Sequence, residues 1–158
     1  MSAIRAKNTK PEIIVRKYLW CHGFRYRLNH PRLPGKPDIV LRKYRTCIFV
    51  NGCFWHGHEF CNIYKIPKSN VDYWNKKITR NQERDIEVKK KLAAMGWHCI
   101  TVWECELKPN KKDATLQSLV YILSKIFLQD HKEIRYEIPE EEPPMMVADN
   151  NEIEYGKT

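Results

Sequence analysis

No apolar run in this chain approaches the ~20 residues that a membrane-spanning helix needs. The first ten residues, M-S-A-I-R-A-K-N-T-K, lack the apolar centre of a secretory signal. Both absences point to a soluble, cytoplasmic protein with no membrane role. They also bear on the six cysteines, Cys21, Cys47, Cys53, Cys61, Cys99 and Cys105. Without an export signal, a thiol or metal role is expected in place of a disulfide framework. No internal repeat is found, and 158 residues suffice for one domain with a real core and a modest tail.

Negative charge is scarce over most of the chain. Residues 1–129 carry 25 Lys and Arg against 10 Asp and Glu, a balance of +15. Residues 130–158 carry 3 against 9, a balance of −6, which brings the whole chain to +9. A compact unit that basic suits a polyanion, because neutralising phosphates releases condensed counterions. The acidic segment, with P-E-E-E-P-P and D-N-N-E-I-E, is too polar to pack and is expected to be a flexible tail. It could compete with a polyanion for the basic face.

Thr9-Lys10-Pro11-Glu12 opens a helix, with Thr9 as cap and Glu12 spaced to complete a capping box. Ile14, Val15, Tyr18 and Leu19 supply its apolar stripe and Gly23 ends it. Phe24–Leu28 alternates as a short strand. Asp38–Leu41 and Thr46–Val50 form a hairpin through Lys43-Tyr44-Arg45, and the near-continuous apolar character of the second strand places it centrally in the sheet. Asn70–Met95 is one long helix. Trp74, Ile78, Asp85, Val88, Leu92 and Met95 lie near one line of it, and Lys76, Lys77, Arg80, Arg84, Lys89, Lys90 and Lys91 make a basic opposite face. Trp97–Trp103 is a strand, and Asp113 caps a last helix. The order predicts an α/β sandwich, a mixed sheet flanked by helices.

One stretch, Val50–Cys61, gathers most of the chemistry. Cys53, His58 and Cys61 offer three soft ligands within nine residues. Four-coordinate structural zinc needs a fourth, for which Cys105, at the end of a strand able to lie beside Thr46–Val50, is the natural candidate. Cys21, Cys47 and Cys99 read instead as small core residues. His56, two residues from His58, faces away from such a metal. It is either a structural histidine or a base that activates water. Asp38 is either a turn residue or a carboxylate that holds Mg²⁺ beside a substrate phosphate. Phe54 and Trp55, joined by Trp74, are either a satellite core under the loop or wedges that unstack base pairs.

Several pieces together resemble the very short patch repair (Vsr) mismatch endonucleases. They are T-K-P-E (9–12), G-F-R-Y-R (23–27), L-P-G-K-P-D-I-V (33–40), N-G-C-F-W-H-G-H (51–58), Y-W (73–74), N-x-x-R-D (81–85) and G-W-x-x-x-x-V-W-E-C (96–105). They fall in the family's order over about residues 3–110. The resemblance implies a restriction-endonuclease-like fold with a structural zinc site. It also implies Mg²⁺-dependent nicking of one strand beside the T of a T:G mismatch left by deamination of 5-methylcytosine. On that basis Asp38 and the main-chain oxygen of Val50 hold Mg²⁺, His56 is the general base, and Glu12 supports them. Cys53, His58, Cys61 and Cys105 hold Zn²⁺, and Phe54, Trp55 and Trp74 enter the DNA stack. The implied setting is a monomer on double-stranded DNA in a prokaryotic cytoplasm, with a mismatch-repair ATPase and a repair polymerase as partners. Where some members carry Thr-His, this chain has Val50-Asn51, so Asn51 sits in the catalytic group as a hydrogen-bonding residue that cannot act as a base. Two further readings remain: a non-catalytic zinc-dependent DNA-binding module, and a restriction- or homing-type nuclease acting on matched duplex.

Overall fold

A computed structural model of the chain describes residues 8–59 and 61–132. The acidic segment beyond 132, which the sequence reading assigns to a tail, lies outside them. The chain divides into two units, Met1–Ser124 and Lys125–Thr158. The described part of the second is the end of the last helix, where the His131 ring bonds the Phe127 carbonyl and packs on the Phe127 ring.

The elements are α1 (Lys10–Cys21), β1 (Arg27–Leu28), β2 (Ile39–Leu41), β3 (Thr46–Asn51), α2 (Val71–Ala94), β4 (His98–Trp103) and α3 (Lys112–Lys132). The protein is a mixed α/β structure around one four-stranded sheet of order β1-β2-β3-β4. The first three strands pair antiparallel, and β4 runs parallel to β3 with Val50 opposite Val102 and Asn51 opposite Trp103. The predicted hairpin and the central place of β3 are therefore found. α2 supplies the crossover that a parallel β3–β4 pair requires.

β3 is buried on both faces, and its alternation sorts the two halves of the core. Ile48 and Val50 join Val15 and Leu19 of α1 and Leu116, Leu119 and Leu123 of α3. Cys47 and Phe49 point the other way, toward Leu92 and Val88 of α2. Asn51, next in that second series, faces the α2 side where β3 ends.

Both long N-terminal and central helices stop as the sequence predicts. Gly23 and Gly96 take left-handed φ values of 89° and 88°. Behind each, the next residue's N–H reaches back to the third-last helical carbonyl: Phe24 to Leu19 and Trp97 to Leu92, both at 2.9 Å. This is a Schellman closure, in which glycine avoids the Cβ penalty of a left-handed residue.

Four details differ from the sequence reading. The strand expected over Phe24–Leu28 shrinks to Arg27–Leu28, because the Phe24 N–H is spent closing α1 and the Arg25 guanidinium lies 3.7 Å over the Trp20 ring. Thr9 does cap α1, but the Glu12 carboxylate accepts from the Asn8 N–H at 3.0 Å and not from that of Thr9, so no reciprocal box forms. α3 begins at Lys112, which puts Asp113 inside its first turn, where a carboxylate still complements the helix dipole. Cys21 is exposed, since α1 turns its last residue to solvent, whereas Cys47 is buried as expected and Cys99 is half-buried. No described helix is long and apolar enough to cross a membrane.

Candidate active site and metal-ligating cluster

The loop after β3 is anchored from the side by α2. Asn81 Nδ2 donates to the Trp55 carbonyl at 2.8 Å, and Gln82 Nε2 donates to the Gly57 carbonyl at 3.0 Å. At Gly57 a Cβ would come within 2.3 Å of Gln82 and 2.7 Å of Ile78, and φ is +60°, so only glycine lets the loop sit this close to the helix. One turn further along α2, Asp85 Oδ2 lies 2.6 Å from His56 Nδ1. A carboxylate only accepts, so Nδ1 carries the hydrogen and Nε2 is left as the free ring nitrogen.

Four side chains meet on the other side of that loop. Cys53, His58, Cys61 and Cys105 bring their ligand atoms within 4.8 Å of one another. His58 Nδ1 is 3.5 Å from both Cys53 Sγ and Cys105 Sγ. Tetrahedral bonds of ordinary length to Zn²⁺ place sulfur and nitrogen about 3.6 Å apart, so the spacing fits a shared ion. The four residues form a set that could hold a metal such as zinc, and the fourth ligand is the one the sequence nominated. Four protein donors leave no position for substrate, which is the mark of a structural site. Burial pushes the Cys53 thiol up to about 12, while the Ile63 N–H, 3.4 Å from Cys61 Sγ, draws that thiol down to about 6. His58 also stacks flat on Trp103, centroids 4.0 Å apart, and Trp103 turns its edge toward His56 at 6.5 Å.

A cleft of about 1030 Å³ opens on the His56 side, and its lining includes Glu12, Asp38, Val50, Asn51, His56, Asp85 and Glu104. Asp38 stands immediately before β2, and its Oδ2 accepts the Val50 N–H at 2.7 Å. Burial, with the nearby Glu12 carboxylate adding to it, raises Asp38 to about 6 against the opposing pull of the Val50 N–H and of His56. Glu12 is only 4 % exposed, a buried acid at the N-terminus of α1. Lys36, Arg84 and Lys89 line the same cleft. Its floor is therefore acidic and its walls partly basic, an arrangement suited to an anionic substrate brought in against carboxylates.

The fold thus gathers Glu12, Asp38, Val50, Asn51 and His56 in one place and Cys53, His58, Cys61 and Cys105 in another. Phe54, Trp55 and Trp74 form a third group. Their rings pack edge-to-face at centroid distances of 5.1, 5.3 and 5.9 Å, all half-buried, with Trp55 also lining the cleft. Two residues lacked a role in the sequence reading. Asp85 was already visible as a carboxylate in the otherwise apolar line of α2. Glu104, whose Oε1 accepts the Cys53 N–H at 3.0 Å, was visible only as the acid of the V-W-E-C segment beside Cys105.

A mixed α/β protein with a histidine–aspartate pair and a buried carboxylate in one cleft, beside a Cys₃His cluster that could hold a metal, has the parts of a hydrolase. Comparison with known proteins narrows that class. The family model for the DNA mismatch endonuclease Vsr matches residues 1–62. The type II nicking enzyme V.NmeAIP of Neisseria meningitidis is 57% identical over 108 residues, covering 68% of this chain and 76% of that one. V.XorIIP of Xanthomonas oryzae pv. oryzae, also a type II nicking enzyme, is 50% identical over 68% of this chain and 78% of its own. The DNA mismatch endonuclease Vsr of Escherichia coli is 38% identical over 112 residues, 71% of each chain. The chain belongs to the Vsr family of DNA mismatch endonucleases.

Proposed function

We propose that this chain nicks one strand of double-stranded DNA beside the T of a T:G mismatch, by Mg²⁺-dependent hydrolysis of the phosphodiester. The observation that carries the chemistry is the 2.6 Å His56–Asp85 pair facing the cleft that holds Asp38. Asp85 fixes the ring so that Nε2 points its lone pair outward, and His56 takes the proton of the attacking water. Glu12 crowds Asp38 and helps to keep its carboxyl hungry for a counter-charge.

The donor set fits a hard cation. Asp38 has one oxygen committed to Val50 and the other without a partner among the described residues, and the nearby Glu12 carboxylate adds to the negative charge there. Asp38 and the Val50 carbonyl would hold Mg²⁺. Bound there, the ion supplies charge stabilisation for the phosphate and leaving oxygen. Proton binding to Asp38 competes with this, so occupancy weakens below the value of about 6.

On this reading the Cys₃His cluster is a zinc-bound scaffold that ties the loop to the end of β4. Phe54, Trp55 and Trp74 present a half-exposed aromatic group beside the cleft and enter the DNA stack at the mismatch, where unstacking costs least. The basic side of α2 faces the phosphate backbone. The fold is a restriction-endonuclease-like one, with an endonuclease domain over 1–129 and an acidic segment over 130–158. The protein works as a monomer in a prokaryotic cytoplasm, with a mismatch-repair ATPase and a repair polymerase acting around it. The mismatch assignment rests on the name of the Escherichia coli relative and the aromatic group together. The names of the other relatives speak of nicking and mention no mismatch, which keeps nicking of matched duplex as a second reading, and one assay separates them. A T:G duplex and its T:A counterpart are incubated with and without Mg²⁺; the proposal requires a nick in T:G with Mg²⁺ alone.

A further inference from the structure

Three cleft residues are buried: Glu12, Val50 and Asn51. Glu12 receives the Asn8 N–H, and the Val50 N–H is given to Asp38. Asn51 is 7 % exposed, and no hydrogen bond among the described residues reaches its carboxamide. A buried amide that no protein group satisfies needs a partner supplied through the cleft, water in the free protein and a ligand in the complex.

The rest of the floor narrows what could satisfy it. Asp38, Asp85, Glu12 and Glu104 are acceptors when ionised, and the Cys53 N–H is already given to Glu104. His56 spends Nδ1–H on Asp85 and keeps Nε2 as an acceptor. Lys36 and Arg84 are exposed, and Lys89 is half-buried on the wall. The Asn51 amide is thus the uncommitted buried donor on a floor of acceptors. The ligand that needs a fixed donor in that place is an oxyanion. We propose that Asn51 Nδ2 donates to a non-bridging oxygen of the scissile phosphodiester, making Asn51 a preorganised, pH-independent contact to the reacting group. This deepens the endonuclease reading and rests on it. A fixed neutral donor in a water-poor site stabilises developing phosphate charge without reorganisation.

The test joins stability, rate and stereochemistry. In Asn51→Ala, the free protein unfolds at the same or higher denaturant concentration than wild type, because no protein partner is lost. Its single-turnover nicking rate on the T:G duplex falls roughly 10²-fold, and Asn51→Asp falls at least as far through repulsion of the phosphate. Substrates carrying a single sulfur at either non-bridging position of the scissile phosphate identify the contact. One diastereomer slows the wild type, and that effect disappears in Asn51→Ala while the effect of the other diastereomer persists. A wild-type rate in Asn51→Ala, a loss of stability, or unchanged responses to both diastereomers overturns the proposal. Failure of the endonuclease reading looks different: wild type leaves T:G duplex uncut. The contact is then judged by binding with Ca²⁺ replacing Mg²⁺. A methylphosphonate at the phosphate beside the T weakens wild type and leaves Asn51→Ala unaffected if the contact exists, and weakens both equally if it does not.

Discussion

The two halves of the loop after β3 solve opposite problems with the same few residues. On one side Cys53, His58 and Cys61 meet Cys105 as soft donors at closed, tetrahedral spacing. On the other, His56, Asn51 and Asp38 line an open cleft, His56 held by Asp85 and Asp38 by the Val50 N–H on one side only. The first region would gain stability from a metal held by all four donors, whereas the second leaves donor and acceptor atoms open toward the cleft. The alternation of residues 56 and 58 along the loop lets a rigid scaffold and a working site share a backbone. Trp103 sits between them, stacked on His58 and edge-on to His56.

The sharpest way to break this contrast is Asp38→Asn. Nicking should fall by roughly a thousandfold or more, since the carboxylate that would hold the cation is gone. Unlike an ordinary active-site loss, stability at pH 8 should rise. The native carboxyl titrates near 6, above its ordinary 3.8, so its favourable contribution is full below 3.8 and is lost as pH rises through 6. Above that window the ionised group is a burden of about 2 kcal/mol, with the partial exposure of the side chain discounted. Denaturant melts at pH 4 and pH 8 give the sign: the variant's advantage must appear only at the higher pH.

Asp85→Ala should lower the nicking rate by about 10²–10³-fold with little change in DNA affinity, because the His56 ring loses the partner that fixes its tautomer. Equal loss of rate and affinity would make Asp85 a packing residue. The metal cluster predicts the reverse pattern. Cys105→Ser should lower bound zinc from one equivalent and cost on the order of several kcal/mol of stability. Zinc-free protein of unchanged stability would remove the scaffold role. A smaller effect is expected for Trp74→Ala, which should weaken binding to T:G duplex by about 1–2 kcal/mol while matched duplex changes less. Equal weakening of the two would leave the aromatic group as core.

Much of this organisation could be read from residues. Glycine after an apolar stripe set the ends of α1 and α2, and an apolar run bounded by turn residues put β3 in the middle of the sheet. The four soft ligands were legible because spacing within the loop gave three and a strand end gave the last. Phe24–Leu28 misled because its alternation suited a strand while its first N–H was needed to close a helix. The Glu12 carboxylate suited a box by spacing, yet Asn8 offered it a nearer N–H. Asp85 was on the right face of α2, but only the fold could bring residue 56 within hydrogen-bonding distance of it, across the turns that separate them. The unpaired state of Asn51 was beyond sequence altogether, because a missing partner is a property of three dimensions.

On the proposed reading DNA is cut at the acidic floor and not at the cysteine cluster. This is tested most directly by comparing wild type and Asp38→Asn, both shown to hold one equivalent of zinc, on a labelled T:G duplex in Mg²⁺. Wild type should give a single nick beside the T and none with T:A duplex, and Asp38→Asn should give none despite full zinc and retained DNA binding. Cleavage by the zinc-loaded Asp38→Asn protein would contradict it.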